Sequence, residues 1–332
     1  MSPWRIILAA TAYEASAAAG LLAVLAIGGA WSPWLDALTH LAPIALGFGL
    51  LAVVMVMIGL KGASRRIPLV LAAIGVAGQA FLLAPDLAAR AWDGLNPAPA
   101  GKAPLTLLTF NAWTENFAPS QTVDAILKSG ADVVALQEDD KIMEREGERI
   151  RAVYPYWAEC NPSWACGTAI LAKRPIIAKG RIRRRIGSYR EDFDAIWAKT
   201  TAPDGRTFTL VATHFAWPIP ADAQDVQQRG FVAAAHAIAG DDGIIAGDLN
   251  TTPWSFAMRR LDADAKPLVR RTHAMSSWPA NVARLNRPFP APFAPIDHIF
   301  AAPAWRTVSV ERMARSGSDH YGVLTVLTRA PS

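Results

Sequence analysis

The stretch Gly243-Ile244-Ile245-Ala246-Gly247-Asp248-Leu249-Asn250 decides how this chain is read. An apolar run from Gly243 to Gly247 ends in a carboxylate, and an amide follows two positions later. A short, continuous apolar run of this kind predicts a strand covered on both faces. Such a strand delivers Asp248 and Asn250 to its end. Two related pairs lie downstream, Asp297-His298 within Pro295-Ile296-Asp297-His298-Ile299-Phe300 and Asp319-His320 within Ser318-Asp319-His320-Tyr321-Gly322. Carboxylates hold a hard cation through oxygen. An amide orients water or a phosphate oxygen without adding charge. Imidazole stabilises or protonates a phosphoryl group near neutral pH. Together these are the parts that metal-assisted attack on a phosphate ester requires.

Upstream, polar residues end other apolar runs. Asn111 ends Leu107-Leu108-Thr109-Phe110, Glu138 ends Val133-Val134-Ala135-Leu136-Gln137, and His214 ends Thr209-Leu210-Val211-Ala212-Thr213. Further strand-like runs are Gly167–Lys173, Ala195–Thr200 and Gly322–Thr328, with helical patterns at Thr122–Ser129, Ala223–Ala239 and Ser255–Leu261. One Asp or Asn at a strand end is ordinary turn chemistry. An ordered series of them is not. The proline-rich stretch from Trp278 to Pro295 reads as a long loop, functional or mobile.

The series Thr109-Phe110-Asn111, Leu136-Gln137-Glu138, Gly167-Thr168-Ala169-Ile170-Leu171, Thr213-His214, Gly247-Asp248-Leu249-Asn250, Ile296-Asp297-His298 and Ser318-Asp319-His320 resembles the endonuclease/exonuclease/phosphatase superfamily over roughly 105–327. That superfamily includes deoxyribonucleases, abasic-site endonucleases, sphingomyelinases and inositol polyphosphate 5-phosphatases; the arrangement looks most like its bacterial membrane-anchored members. The resemblance implies a DNase I-like four-layer αββα sandwich. It implies Glu138 as the main ligand of Mg²⁺, or alternatively Mn²⁺, with Asn111 and Asp319 close to the metal. It implies Asp248 as the carboxylate activating water or serving the leaving group, and Asn250 as the residue orienting water and phosphate. His320 corresponds to a phosphate-contacting histidine whose tautomer Asp297 fixes, and His214 to a second phosphate contact. In the deoxyribonucleases a glutamate supports the first histidine; the matching position here is Gly167, which suits the lipid and phosphatase branches. That leaves Asp192 and Asp194 as candidate partners for His214 and Arg190 as a candidate phosphate contact. Arg181, Arg183, Arg184 and Arg185 read as a solvated run.

The chain has 332 residues, of which 52% are hydrophobic, and a formal charge of +5. Mean hydropathy is +0.19. The apolar excess lies before residue 85, so residues 1–84 read as a transmembrane region with helices at about 6–31, 41–60 and 67–84. Cleavage of the first as a signal peptide is the alternative, although Glu14 interrupts its apolar run. Arg5 and the loop carrying Lys61, Arg65 and Arg66 are basic, whereas 32–40 carries no Lys or Arg. The positive-inside rule then places everything after Pro85 outside the cytoplasm. Residues 85–104, rich in Pro, Ala and Gly, read as a linker, and 105–328 as the catalytic domain. Cys160 and Cys166 can close a small disulfide in an oxidising compartment, or stay as thiols.

His236 reads as structural, and His273 as an exposed loop residue or one facing substrate. Trp278 is a candidate for substrate contact, while Trp217 and Trp254 read as packing over the sheet ends. The leading expectation is a membrane-anchored phosphodiesterase or phosphomonoesterase with a divalent metal, its substrate a lipid or other membrane-associated ester. A periplasmic nuclease is the rival within enzymes. A non-catalytic module binding an anionic ligand or partner protein is the rival outside them. The charge is too mild to imply nucleic acid by itself.

Overall fold

The computed structural model describes residues 3–101, 103–160, 167–185, 193–282 and 285–329. Arg190, Asp192 and Cys166 lie outside the described residues. Cys160 is disulfide-bonded. The chain divides into two compact units, Met1–Ala88 with Trp254–Arg259, and Ala89–Pro253 with Arg260–Ser332.

The first unit is helical. It contains α1 (Pro3–Ile27), the short α2 (Pro33–Asp36), α3 (Ala42–Gly59) and most of α4 (Arg66–Leu95). Three segments, Pro3–Ala30, Pro33–Gly59 and Gly62–Leu95, are long and apolar enough to cross a membrane. Ile6, Leu21, Val54, Ile58 and Val70 point outward and are exposed, an arrangement that fits lipid rather than water. Between the helices the contacts are small. A Cβ at Gly75 would come within 2.8 Å of the Ala19 Cβ, and one at Gly78 within 2.7 Å of the Ala23 Cβ. Small residues let helix backbones approach where lipid removes the hydrophobic drive between helices.

One expectation needs correction here. Helix α4 runs through Pro85 to Leu95, so residues 85–95 of the expected linker are helical. Proline removes one backbone donor and ordinarily ends or kinks a helix. Burial of Leu82, Leu83 and Asp86 around it supplies the packing that holds the helix. Of the described residues of that stretch, 96–101 and 103–104 lack helix. Trp254 is buried, as expected, but among Ala26, Ala42, Leu82 and Leu83 of this unit rather than over a sheet end. Beside it, the Asp36 carboxylate accepts the N–H groups of Phe256 (2.8 Å) and Ala257 (2.7 Å). These are orphan donors of a helix N-terminus.

The second unit is a four-layer αββα sandwich. Strands β1 (Leu105–Asn111), β2 (Val133–Gln137), β3 (Tyr156–Glu159) and β4 (Thr168–Ala172) join β11 (Trp305–Arg312) and β12 (Val323–Arg329) in one sheet, ordered β11-β12-β1-β2-β4-β3. Strands β5 (Ile176–Arg184), β6 (Phe193–Thr201), β7 (Thr207–His214), β8 (Ile244–Asp248), β9 (Val269–Arg270) and β10 (Asp297–Ala301) form the other, ordered β5-β6-β7-β8-β10-β9. Each sheet holds one parallel pair at its centre, β1 with β2 and β7 with β8. The faces meet in a core that includes Leu107, Val133, Ile170, Leu210, Ile244 and Ile299. Helices α5 (Pro119–Lys128) and α6 (Asp140–Val153) cover the first sheet, and α7 (Ala221–Ala239) covers the second through Phe231, which packs edge-on to Phe193 and Phe215. Strands β2, β4, β8 and β10 are buried along their whole length, which is why their interiors read as apolar and their polar residues gather at the ends.

Candidate active site

Parallel and antiparallel registers bring the strand ends to one place. In β8, Asp248 lies opposite His214 of β7 and Asp297 of β10. Asn111 lies opposite Gln137, one residue before Glu138. Gly247 permits the tight β7–β8 approach, since a Cβ there would collide with the Thr213 carbonyl. Glu138 and Asn250, just past their strands, adopt positive φ angles of 50° and 47°. Side chains other than glycine tolerate that region poorly, and such strain concentrates at functional sites.

The polar groups form one network. Asn111 Nδ2 donates to Glu138 Oε1 and to Asp248 Oδ2, both at 3.0 Å. Its Oδ1 accepts the Trp113 N–H at 2.9 Å. Glu138 Oε2 accepts both the backbone N–H (2.9 Å) and hydroxyl (3.0 Å) of Thr114. Asn250 N–H donates to Asp248 Oδ1 at 2.8 Å, and its side-chain Nδ2 donates to the Phe215 carbonyl at 2.9 Å. His214 Nε2 lies 3.3 Å from Asn250 Nδ2, 3.5 Å from Asp248 Oδ2 and 3.8 Å from Glu138 Oε1. His320 Nδ1 meets Asp297 Oδ2 at 2.9 Å, and its Nε2 lies 3.6 Å from Asp248 Oδ2. Asp319 accepts the Trp278 indole N–H at 3.3 Å. Of the ten expected site residues, Asn111, Glu138, His214, Asp248, Asn250, Asp297 and His320 form one network, Asp319 and Trp278 form a pair, and Arg190 lies outside the described residues.

Protonation follows from this crowding. Burial pushes the Asp248 carboxyl up to about 6, with Asp297 adding to the rise and the two imidazoles opposing it. Burial also opposes the charge on His320, but the carboxylates of Asp297 and Asp248 outweigh it and hold the imidazole well above its ordinary pKa. Burial raises Asp319. Burial works against the Glu138 charge too, yet His214, the Thr114 hydrogen bond and Asn111 bring its pKa below the usual value.

The donor chemistry fits a hard divalent cation. Glu138 and Asp319 offer carboxylate oxygen, Asn111 Oδ1 keeps one lone pair beside its bond from the Trp113 N–H, and Asp319 Oδ1 is buried with no hydrogen-bond partner among the described residues. Asp248, Asp297 and His320 also place ligand atoms within 4.8 Å of one another. In that group, however, His320 Nδ1 is already engaged by Asp297, so it reads as an acid–base pair facing Asp248.

Several expectations change. Asp194 is not a partner of His214: Arg181 clamps it with Nε at 2.8 Å and Nη2 at 2.7 Å, so Arg181 leaves the solvated run, while Arg183, Arg184 and Arg185 stay exposed. His214 finds Asn250 and Asp248 instead. Trp217 does not pack away but is 65% exposed. His273 is not an exposed loop residue; its imidazole lies 3.7 Å from Asp93 with 17% side-chain exposure, and its carbonyl accepts from Arg90. His298 points to the opposite face of β10 from Asp297, where its ring nitrogens meet Thr251 and Thr272. His236 is structural, with Nε2 at 2.7 Å from the Ala265 carbonyl.

The supporting residues escaped the sequence reading. Ser318 Oγ donates to the Asn111 carbonyl (2.7 Å) and accepts from the His320 N–H (3.0 Å), tying one strand end to another. Gln224, on α7, donates to the Asn250 carbonyl at 2.9 Å. Ser318 adjoins Asp319-His320, a signal that could have found it; Gln224 carries no local signal.

The fold and this donor set define an α/β sandwich with a phosphoesterase-type centre. The model of the endonuclease/exonuclease/phosphatase family matches residues 108–320, and the chain belongs to that family, whose members hydrolyse phosphate esters. Solved structures share the fold. The catalytic domain of human Nocturnin with bound sulfate aligns at TM-score 0.56 and 14% identity, covering 71% of this chain and 97% of that one. An endonuclease/exonuclease/phosphatase from Bacteroides vulgatus aligns at 0.53 and 18%, covering 69% and 100%. One from Beutenbergia cavernae aligns at 0.52 and 20%, covering 69% and 72%. No curated protein sequence matches the chain.

Proposed function

We propose that the chain is a membrane-anchored, Mg²⁺-dependent phosphoesterase. Residues 1–84 supply the anchor and 105–328 the catalytic domain, which lies on the extracytoplasmic side. The observation that carries the reading is the Asn111 amide joining Glu138 to Asp248, both at 3.0 Å. One side chain thereby couples a candidate metal carboxylate to a candidate general base. Glu138, Asp319 and Asn111 would hold Mg²⁺, with Mn²⁺ as the alternative; when bound it polarises the phosphate and offsets charge building on its oxygens.

The remaining work falls to the protein. Asp248, with a pKa near 6, is a carboxylate at neutral pH and accepts a proton from the attacking water. As the water oxygen bonds to phosphorus, the bond to the leaving oxygen breaks, and the leaving oxygen takes a proton from solvent. Asn250, fixed by Phe215 and Asp248, orients the water and a phosphate oxygen. Protonated His320, held by Asp297, and His214 donate to phosphoryl oxygens, where charge increases in the transition state. The test uses the full-length protein with Mg²⁺ and a soluble phosphodiester and phosphomonoester. Turnover in the wild type that disappears in Asp248→Asn supports the reading; equal turnover in both refutes the assigned chemistry. A periplasmically active reporter fused after Ser332 tests the orientation.

A further inference from the structure

An aromatic ridge stands beside the candidate metal carboxylate. Trp278 donates its indole N–H to Asp319 and packs edge-to-face on Trp217 (6.4 Å between centroids, 76° between planes) and on Phe293 (5.9 Å, 72°). Phe289 continues the row, 6.3 Å from Phe293. Its outer members are open to solvent, with Trp217 65% and Ile219 66% exposed. The segment reads in sequence as a loop, yet its backbone is firmly tied. Trp278 and Ala294 exchange hydrogen bonds of 3.0 and 2.9 Å, Phe293 N–H donates to the Trp278 carbonyl at 3.1 Å, and Ala280 N–H donates to the Asp319 carbonyl at 2.6 Å. An aromatic row fixed in this way, half-buried along its length, open at Trp217 and joined to Asp319 through Trp278, is placed to receive whatever the phosphate carries.

We propose that the ridge of Trp217, Ile219, Trp278, Phe289 and Phe293 takes the acyl portion of a lipid phosphate ester, which rests on the phosphoesterase reading above. Two observations favour acyl chains over a base. The rings meet edge-to-face, so their faces are not aligned as a series of platforms for successive bases. Ile219, an aliphatic group with no stacking face, lies two residues from Trp217 in the chain and is likewise exposed. Indole is also suited to the boundary between an apolar body and a polar headgroup, because its ring is apolar and its N–H is a donor. The three membrane-length helices put a lipid phase within the reach of this chain as a source of such esters.

The test measures binding separately from hydrolysis. Full-length protein in amphipol with Mg²⁺ is titrated calorimetrically with dihexanoyl glycerophosphonate, a non-hydrolysable acylated probe, and with glycerophosphonate lacking the chains. The double variant Trp217→Ala/Ile219→Ser changes only exposed groups outside the catalytic set. The wild type should prefer the acylated probe. The variant should bind it about tenfold more weakly, the order expected when contact with one or two large apolar side chains is lost. Its affinity for the deacylated probe should hold. An absent preference in the wild type, or an unchanged preference in the variant, overturns the proposal, as does a loss of affinity confined to a phosphorothioate oligonucleotide. Failure of Asp248-dependent turnover would remove the phosphoesterase reading while leaving an acyl-dependent binding result intact.

Discussion

Asp36 of the helical unit and the carboxylates of the candidate site in the sandwich are buried alike and treated oppositely. In the helical unit, Asp36 is buried and both its oxygens are met by backbone donors of Phe256 and Ala257. In the sandwich, Asp297 Oδ1 and Asp319 Oδ1 are buried without a hydrogen-bond partner, and Asp248 is driven towards protonation. An unmatched buried polar group costs about 1–3 kcal/mol. Satisfied carboxylates hold structure together; carboxylates kept short of donors and crowded with one another store a demand that a cation, a proton or a phosphate ester meets. The difference therefore separates an acid group satisfied by the fold from the candidate catalytic ones.

The largest effect should come from the working set. Asp248→Asn keeps the shape and removes the proton acceptor, so kcat should fall by about a thousandfold, the upper range for a single charge-stabilising or acid–base group. Melting temperature should hold or rise. A carboxyl whose pKa is raised on folding contributes stability only at low pH and loses it as pH climbs through the folded value, so at neutral pH its removal relieves strain. A variant that loses both stability and activity would mark Asp248 as a structural group after all.

His320 sharpens the same contrast. Asp297→Asn should lower kcat by about a hundredfold and reshape the pH profile. Activity should rise through about pH 6 as Asp248 ionises, and decline only well above 6.5, where His320 loses its proton. Without Asp297 the imidazolium loses its principal charge partner, so the alkaline limb should move to lower pH. Asp139, raised to about 7 by burial and the neighbouring Asp140, titrates in the same window. Asp139→Asn should therefore leave the acid limb in place; an acid limb that vanishes with Asp139 would reassign it.

How much of this was legible follows from burial. Strands β2, β4, β8 and β10 are covered on both faces and wrote continuous apolar runs, with their polar ends visible by contrast. Helix α6 and strand β5 were missed because each is largely solvated. Among α6 residues only Ile142, Gly147 and Ile150 are buried, and β5 reads as the basic run Lys179 to Arg184, its single bidentate ion pair with Asp194 hidden by a separation of 13 residues. The candidate site residues lie at or just past strand ends, where a polar group after an apolar run shows in the sequence. Its supports, such as Gln224 and Thr114, depend on long-range approach and leave no local pattern.

Gly247 probes the frame beneath the site. Its missing Cβ admits the Thr213 carbonyl, and neither β7 nor β8 can withdraw without breaking the ladder that pairs His214 with Asp248. Gly247→Ala should cost about 2–3 kcal/mol by overpacking and lower the denaturation midpoint. Activity should drop with it, since the strands that move carry His214 and Asp248. A stable, fully active Gly247→Ala would show that the two strands have slack that their packing denies.

The smallest effect belongs to Asp36. Replacement by Ala leaves the N–H groups of Phe256 and Ala257 without their acceptor, at a cost of about 1 kcal/mol for a lost helix cap. Thermal denaturation of the full-length protein in detergent should register a shift of a few degrees. Asp36→Asn should recover part of it, because the amide oxygen still accepts one donor while the charge that favours a helix N-terminus is gone. KM and kcat should remain within about twofold of wild type, far below the hundredfold or greater losses expected for the unsatisfied carboxylates. A large kcat loss in Asp36→Ala at an unchanged melting temperature would break the division between satisfied and working acids, and would make residues 254–259 part of how Asn250 is positioned, since only Thr251, Thr252 and Pro253 separate them in the chain.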